Sequence, residues 1–166
     1  MENPEFDIRF SEFDDMAYLS SWLSYPGGCD PFPFTMEEKD DALRNWMGFA
    51  KYKSSLTGLI KGVPCAVGTL FLMPYLKVSH QCSFYLVVDP EHRRKGVGTA
   101  MMRNLLHLAK SRFHLDSVYA ELFLPSPLET VLEKLQFRVL AKQDDFAKIS
   151  PEESLPRLLM ECELHG

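Results

Sequence analysis

One stretch constrains this chain more than any other. An apolar run, QCSFYLVV (81–88), gives way to a charged loop, DPEHRRK (89–95), then to two glycines at 96 and 98, an amphipathic segment, and a second apolar run, SVYAELFL (117–124). Short apolar runs rich in Val, Phe, Tyr and Leu and bounded by turn residues read as strands. The segment between them carries Arg103, His107, Lys110 and Ser111 on one side and Met101, Leu105, Leu108 and Ala109 on the other, the pattern of a half-buried helix. Strand, helix and strand at this spacing close as a right-handed parallel crossover, so the chain must contain a sheet with a parallel pair inside it.

The flanking sequence supplies the rest of that sheet. Glu5 to Ser11 reads as an opening strand and Asp14 to Ser24 as a helix capped by Asp14 or Asp15. YPGGCDPFPF (25–34), with its glycines and prolines, is an irregular loop whose rings must be covered elsewhere. A second helix opens at Thr35, with Glu38 as its capping-box partner and Met36, Leu43, Trp46, Met47 and Phe49 on its apolar side. SSLTGLIKG and PCAVGTLFLMPY form two strands joined by a Lys61–Pro64 turn, so strands two, three and four meander antiparallel. After the fifth strand come a short helix, SPLETVLEKLQF, and a closing pair of strands, FRVLAKQDDF and RLLMECEL.

With 166 residues, no internal repeat and no long linker, a single domain over 1–166 is expected, long enough to bury about 70% of its unfolded surface. A net charge of −5 argues against a nucleic-acid partner, whose footprint is an excess of Lys and Arg. The longest uncharged run, Gly62 to Leu76, is too short for a bilayer and holds prolines, and MENPEFDIRF lacks the basic and apolar segments of a secretory leader. Cys29, Cys65, Cys82 and Cys162 form no CxxC pair, which fits a reducing cytoplasm better than a disulfide framework. His80 and Cys82 share a face by the period of two, but two ligands fall short of a zinc site, and no metal is expected.

The charged loop leads into a helix N-terminus, where unpaired N–H groups and the aligned peptide dipoles favour an anion. Gly96 and Gly98 let a diphosphate approach those amides, and Arg93, Arg94 and Lys95 surround it with positive charge. The P-loop pattern is excluded because the lysine precedes the glycines, and the dinucleotide GxGxxG because Met101 stands where a third glycine belongs.

The run LVVDPEHRRKGVGTAMM resembles the acyl-CoA signature of the GNAT superfamily of N-acetyltransferases, an Arg or Gln followed by xxGxG or xxGxA, with Arg93, Gly96 and Gly98 in the three places. Its setting is similar too, between an apolar strand ending in Val88-Asp89-Pro90 and a long helix. The resemblance implies a mixed α/β fold, a central sheet of six to seven strands flanked by about four helices, with the fourth and fifth strands splayed apart. It implies acetyl-CoA or another acyl-CoA as co-substrate. It gives the backbone amides of Arg94, Lys95, Gly96, Val97, Gly98 and Thr99 to the pyrophosphate, with Arg93 beside them as a binding cation, the pantetheine to Leu86, Val87 and Val88, with a main-chain N–H of that strand for the thioester oxygen, and Ser126 to the cofactor as well. The acceptor would be a small-molecule or peptide amine, and family members often pair through edge strands, so the apolar closing strands permit a homodimer.

Acyl transfer needs a neutral amine, whereas a lysine-like amine of pKa about 10.4 is protonated near pH 7, so a base, directly or through water, helps. Many family members use a glutamate on the fifth strand, where this chain has Glu121. The helix that follows departs from the family pattern NxxAxxxYxxxGF: Ser126 or Pro125 stands for the asparagine, Leu132 for the tyrosine that protonates the thiolate, and Gln136 for the glycine. Tyr85 and Tyr119 are alternative proton donors. The lost tyrosine also admits a non-catalytic acyl-CoA-binding regulatory module of the same fold. Phe32 and Phe34 fall where the family walls its acceptor site.

Overall fold

The structure is a computed structural model and describes residues 5–164; residues 1–4, where the leader-free reading begins, and 165–166, at the end of the expected domain, lie outside it. The chain runs β1 (Phe6–Phe10), α1 (Met16–Leu23), α2 (Lys39–Met47), β2 (Ser55–Ile60), β3 (Val63–Leu72), β4 (Gln81–Val88), α3 (Val97–Ser111), β5 (Ser117–Phe123), α4 (Leu128–Lys134), β6 (Arg138–Lys148) and β7 (Ser154–Glu163). All seven strands join one sheet in the order β1-β2-β3-β4-β5-β7-β6, with β4 and β5 parallel and every other neighbour antiparallel. Mixed topology, strand number and the parallel crossover agree with the sequence reading. The insertion of β7 between β5 and β6 was not part of it.

The β2–β3 turn is tighter than the expected Lys61–Pro64 connection. Lys61 (φ 51) and Gly62 (φ 79) alone make it, both left-handed, and Val63 and Pro64 already belong to β3. A register shift between Gly58 and Leu59 lets Pro64, which has no N–H to donate, sit opposite Leu59.

Alternating side chains separate two cores on opposite faces of the sheet. On one face α3 and α4 press Met101, Leu105 and Leu132 against Ala66, Leu70, Phe84 and Leu122. The approach is close: a Cβ on Gly68 would fall 2.6 Å from Leu105 Cδ1. On the other face α1 and α2 bring Leu19, Leu23, Leu43, Trp46 and Met47 onto Val67 and Val87. No helix among the described residues is long and apolar enough to cross a membrane.

Polar groups fix how α1 and α2 sit. Asp15 does not cap α1. Its carboxylate takes two hydrogen bonds from Arg9, at 2.8 and 2.9 Å, one from the Glu12 N–H at 2.9 Å and one from Thr57 Oγ1 at 2.8 Å. A buried hydroxyl chain continues through Ser11, Ser55 and Thr69 to Trp46 Nε1, which donates to Thr69 Oγ1 at 2.7 Å. The Thr35–Glu38 hydrogen bonds of the expected capping box form, each backbone N–H donating to the other's side chain at 3.0 and 3.2 Å, but they close a turn over 36–38, and α2 itself starts at Lys39 and not at Thr35. Lys39 then reaches back from α2 to Ser20 and Ser24 of α1, at 2.9 and 2.6 Å.

Candidate active site

β4 and β5 pair only at Gln81–Ser117, Cys82–Val118 and Ser83–Tyr119. Beyond Ser83, β4 stays bonded to β3 as far as Val88, and β5 keeps only the partner on its other edge, β7, which pairs with it from Ser117 through Phe123. The β5-facing backbone edge of Phe84 to Val88 therefore has no strand on it. An extended ligand rich in amides can supply the missing partner. Leu86, Val87, Glu121 and Ser126 all border the narrow opening thus formed, together with Tyr85 and Phe32. Leu86 faces the α3 core and Val87 the α1–α2 core, as the strand alternation requires. Val88 packs at the edge of the α3 core.

At the mouth of this opening the chain turns into α3. Asp89 accepts the Glu91 N–H at 3.0 Å and starts a short 3-10 turn over Pro90–His92. Arg94 (φ 63) and Gly96 (φ 80) are both left-handed, and Gly96 is the residue from which α3 departs. Val97 is buried, whereas Arg93, Arg94 and Lys95 are exposed around the helix start. The Arg93 guanidinium reaches Tyr25 Oη at 3.4 Å, and Lys95 Nζ lies 3.5 Å from His92 Nδ1. A Cβ on Gly98 would meet only Val88 Cγ2, at 3.9 Å. No protein atom therefore calls for glycine there, whereas a group lying on the N-terminal amides of α3 would. The geometry suits a diphosphate on 94–99 with its attached arm running along β4.

Glu121 is half-buried at the opening, and its Oε2 accepts from Arg157 Nη1 at 2.9 Å. Arg157 also donates through Nε to Gln143 Oε1 at 2.8 Å, and its guanidinium lies 3.8 Å from the ring centre of Phe146. Glu121 Oε1 takes no hydrogen bond among the described residues. Tyr85 stands on the same side, its ring edge-on to Phe71 at 4.8 Å, Trp46 at 5.1 Å and Phe32 at 5.3 Å. Burial, with the negative charge of Glu121 in second place, holds the Tyr85 phenol above its ordinary range. Tyr119 is placed differently. Its hydroxyl bonds to Glu161, which Arg138 also grips at 2.8 Å, and this contact raises the Tyr119 phenol.

Ser126 Oγ accepts the Leu128 N–H at 3.2 Å and so starts α4 while bordering the opening. Leu132 is fully buried in the α3-side core. Gln136 is left-handed (φ 69), so the backbone keeps the conformation suited to the glycine it replaces. His80 does not share a face with Cys82: β4 begins at Gln81, and His80 lies exposed before it. No group of three or more potential metal ligands occurs among the described residues. Arg157 escaped the sequence reading. Its one signal is a lone cation in the apolar run LPRLLMEC, and its partners follow only from the position of β7.

Comparison with known proteins agrees with this geometry. Residues 14–127 match the family model of the acetyltransferase (GNAT) family. No curated protein sequence matches the chain. Among solved structures, yncA of Salmonella typhimurium, determined with its cofactor acetyl-CoA, is 16% identical with a TM-score of 0.80, over 97% of this chain and 95% of that one. Spermidine N-acetyltransferase from Vibrio cholerae, in complex with CoA and spermine, is 13% identical with a TM-score of 0.80, over 98% and 97%. Ribosomal-protein-alanine N-acetyltransferase from Brucella melitensis is 15% identical with a TM-score of 0.77, over 95% and 99%. At these identities the likeness is one of fold.

Proposed function

Because this chain belongs to the GNAT family of acetyltransferases, we propose that it moves an acetyl group from acetyl-CoA to the primary amine of a small molecule or peptide, within one domain spanning 1–166. The observation that carries this is the parting of β4 and β5 beside a helix start whose Gly98 leaves room for a ligand. The residues fit the cofactor. Arg93 to Thr99 would hold the diphosphate, Leu86 to Val88 the pantetheine arm, and Ser126 borders the same opening. When bound, acetyl-CoA supplies an acyl group activated as a thioester, open to direct attack by an amine.

The chain's own residues prepare that amine. Glu121 takes its proton on Oε1, while Arg157 fixes the carboxylate through Oε2. Tyr85 and Phe32 shape the wall around it and exclude water. Leu132 has no proton to give, which costs rate and not the reaction, since an ordinary thiol ionises near pH 8.5. The same residue favours a second reading, a non-catalytic acyl-CoA-binding regulatory module. A spermidine acetyltransferase and a ribosomal-protein-alanine acetyltransferase among the structural relatives are consistent with amine acceptors of either kind. Four buried free thiols support a cytoplasmic setting, and the exposed edge strand β6 is where a homodimer would pair.

Adding acetyl-CoA to the purified protein should raise its Tm, and a screen of amines should then release free CoA thiol. Stabilisation without thiol release across N-terminal peptides, lysine peptides, polyamines and amines of other classes would select the regulatory module. No stabilisation at saturating acetyl-CoA would rule out both readings.

A further inference from the structure

The opening at Glu121 has a neighbour. A cleft of about 380 Å³, within the range of small-molecule sites, lies between the 25–36 loop and the end of β6. It shares Phe32 and Phe123 with the opening between β4 and β5, so the two adjoin at those rings, and Arg157 links Glu121 of the one to Phe146 of the other. Beyond those rings the apolar part of the wall includes Phe34, Met36, Phe146 and Ile149. The rings are set against one another: Phe32 stacks on Phe34 at 5.4 Å and 7°, and Phe123 lies 6.0 Å from Phe146, whose position is fixed by the guanidinium of Arg157.

Charge discriminates among amines that could enter. The walls of the cleft carry one carboxylate, Asp30, and one ammonium, Lys148. A polyamine needs carboxylates for its distal cations, and here the single one is offset by a lysine. An amino acid would carry its carboxylate toward Glu121, like charge against like, and the nearby cation, Arg157, is already committed to Glu121 and Gln143. What remains complementary is an apolar, flat body.

We propose that the acceptor is a primary arylalkylamine, its amine at Glu121 and its ring between the Phe32–Phe34 side and the Phe123–Phe146 side of the cleft. The proposal rests on the amine-acetyltransferase reading and adds the substrate class. Its test offers 2-phenylethylamine, tryptamine, n-butylamine, spermidine and phenylalanine to the protein with acetyl-CoA, following thiol release and, in parallel, Tm. The two arylalkylamines should exceed n-butylamine in kcat/KM by about tenfold or more, mostly through KM. Phe146→Ala should raise KM for tryptamine about five- to tenfold more than it raises KM for n-butylamine. Phe146 is 44% exposed, so its loss should spare the fold, and Phe34→Leu serves as a second variant. Preference for spermidine or phenylalanine, an unchanged tryptamine KM in both folded variants, or stabilisation by acetyl-CoA with no thiol release from any of the five overturns the acceptor assignment. Failure of acetyl-CoA both to stabilise the protein and to turn over removes the underlying reading, and the assignment with it.

Discussion

Gly96 and Gly98 stand two residues apart at the start of α3 and are glycine for different reasons. Gly96 has φ 80, where a side chain costs about 1–2 kcal/mol. A Cβ on Gly98 would meet only Val88 Cγ2, at 3.9 Å, so a side chain there has room in the free protein and, on the proposed cofactor seat, would collide only with the ligand. Gly96→Ala should therefore lower Tm in the absence of ligand. Gly98→Val should hold its fold and weaken acetyl-CoA binding by about tenfold or more, measured by titration calorimetry. Unchanged affinity in that variant would refute the cradle. Glu121 answers to a different measurement. If its carboxylate is the base, Glu121→Gln should cut kcat by about a hundredfold, the usual worth of general base catalysis, with KM for the amine little altered. A kcat within a factor of two or three would assign the proton to water alone.

At the scale of elements, the Arg9–Asp15 pair ties β1 to the turn ahead of α1 and, through Thr57, to β2. Burial by itself would raise the Asp15 carboxyl above its ordinary value of 3.8, but the hydrogen bonds from Arg9, the Glu12 N–H and Thr57 outweigh it and leave the group lowered. A lowered folded value stabilises the protein at pH above the unfolded value, and the gain is lost as pH falls through the folded one. In urea unfolding the wild type should thus exceed Asp15→Asn at pH 7, and the gap should narrow below about pH 4. A gap of constant size from pH 7 to pH 3 would show that charge plays no part. Asp15 also marks a boundary of what the sequence reveals. Its place ahead of a helical pattern suggested a cap, and only the pairing of β1 with β2, more than forty residues apart, brings Thr57 against it. The capping box at Thr35 and Glu38 was legible because its partners are three residues apart. The same distinction holds in the site. The proposed diphosphate seat is contiguous backbone and can be read from DPEHRRKGVGTA, and the proposed base, Glu121, follows from the family resemblance at its place on a strand. Arg157, Phe146 and the outer cleft depend on β7 entering the sheet between β5 and β6, a long-range pairing with no local motif.

The whole molecule decides the state of its thiols, and with it how transfer can be measured. The four cysteines come from the loop after α1 and from β3, β4 and β7, yet each is free and buried, with 0–7% exposure. Burial pushes the Cys65 thiol up to about 11, aided by the charge of Asp89, and that of Cys82 to about 12. Cys29 and Cys162 move in the same direction for the same first cause. A thiol attacks a disulfide reagent as its thiolate, so a raised value and a closed surface both act to slow it. Near pH 7.5, Ellman's reagent should find close to zero reactive thiols per native chain and four after unfolding in guanidinium. Cys29 is the sternest case. It borders the outer cleft, so an acceptor seated there should leave its slow reaction slower still. If any thiol instead reacts in the native protein within minutes, the packing around it opens far more readily than a closed core permits, and the first place to look is the 25–36 loop over that cleft.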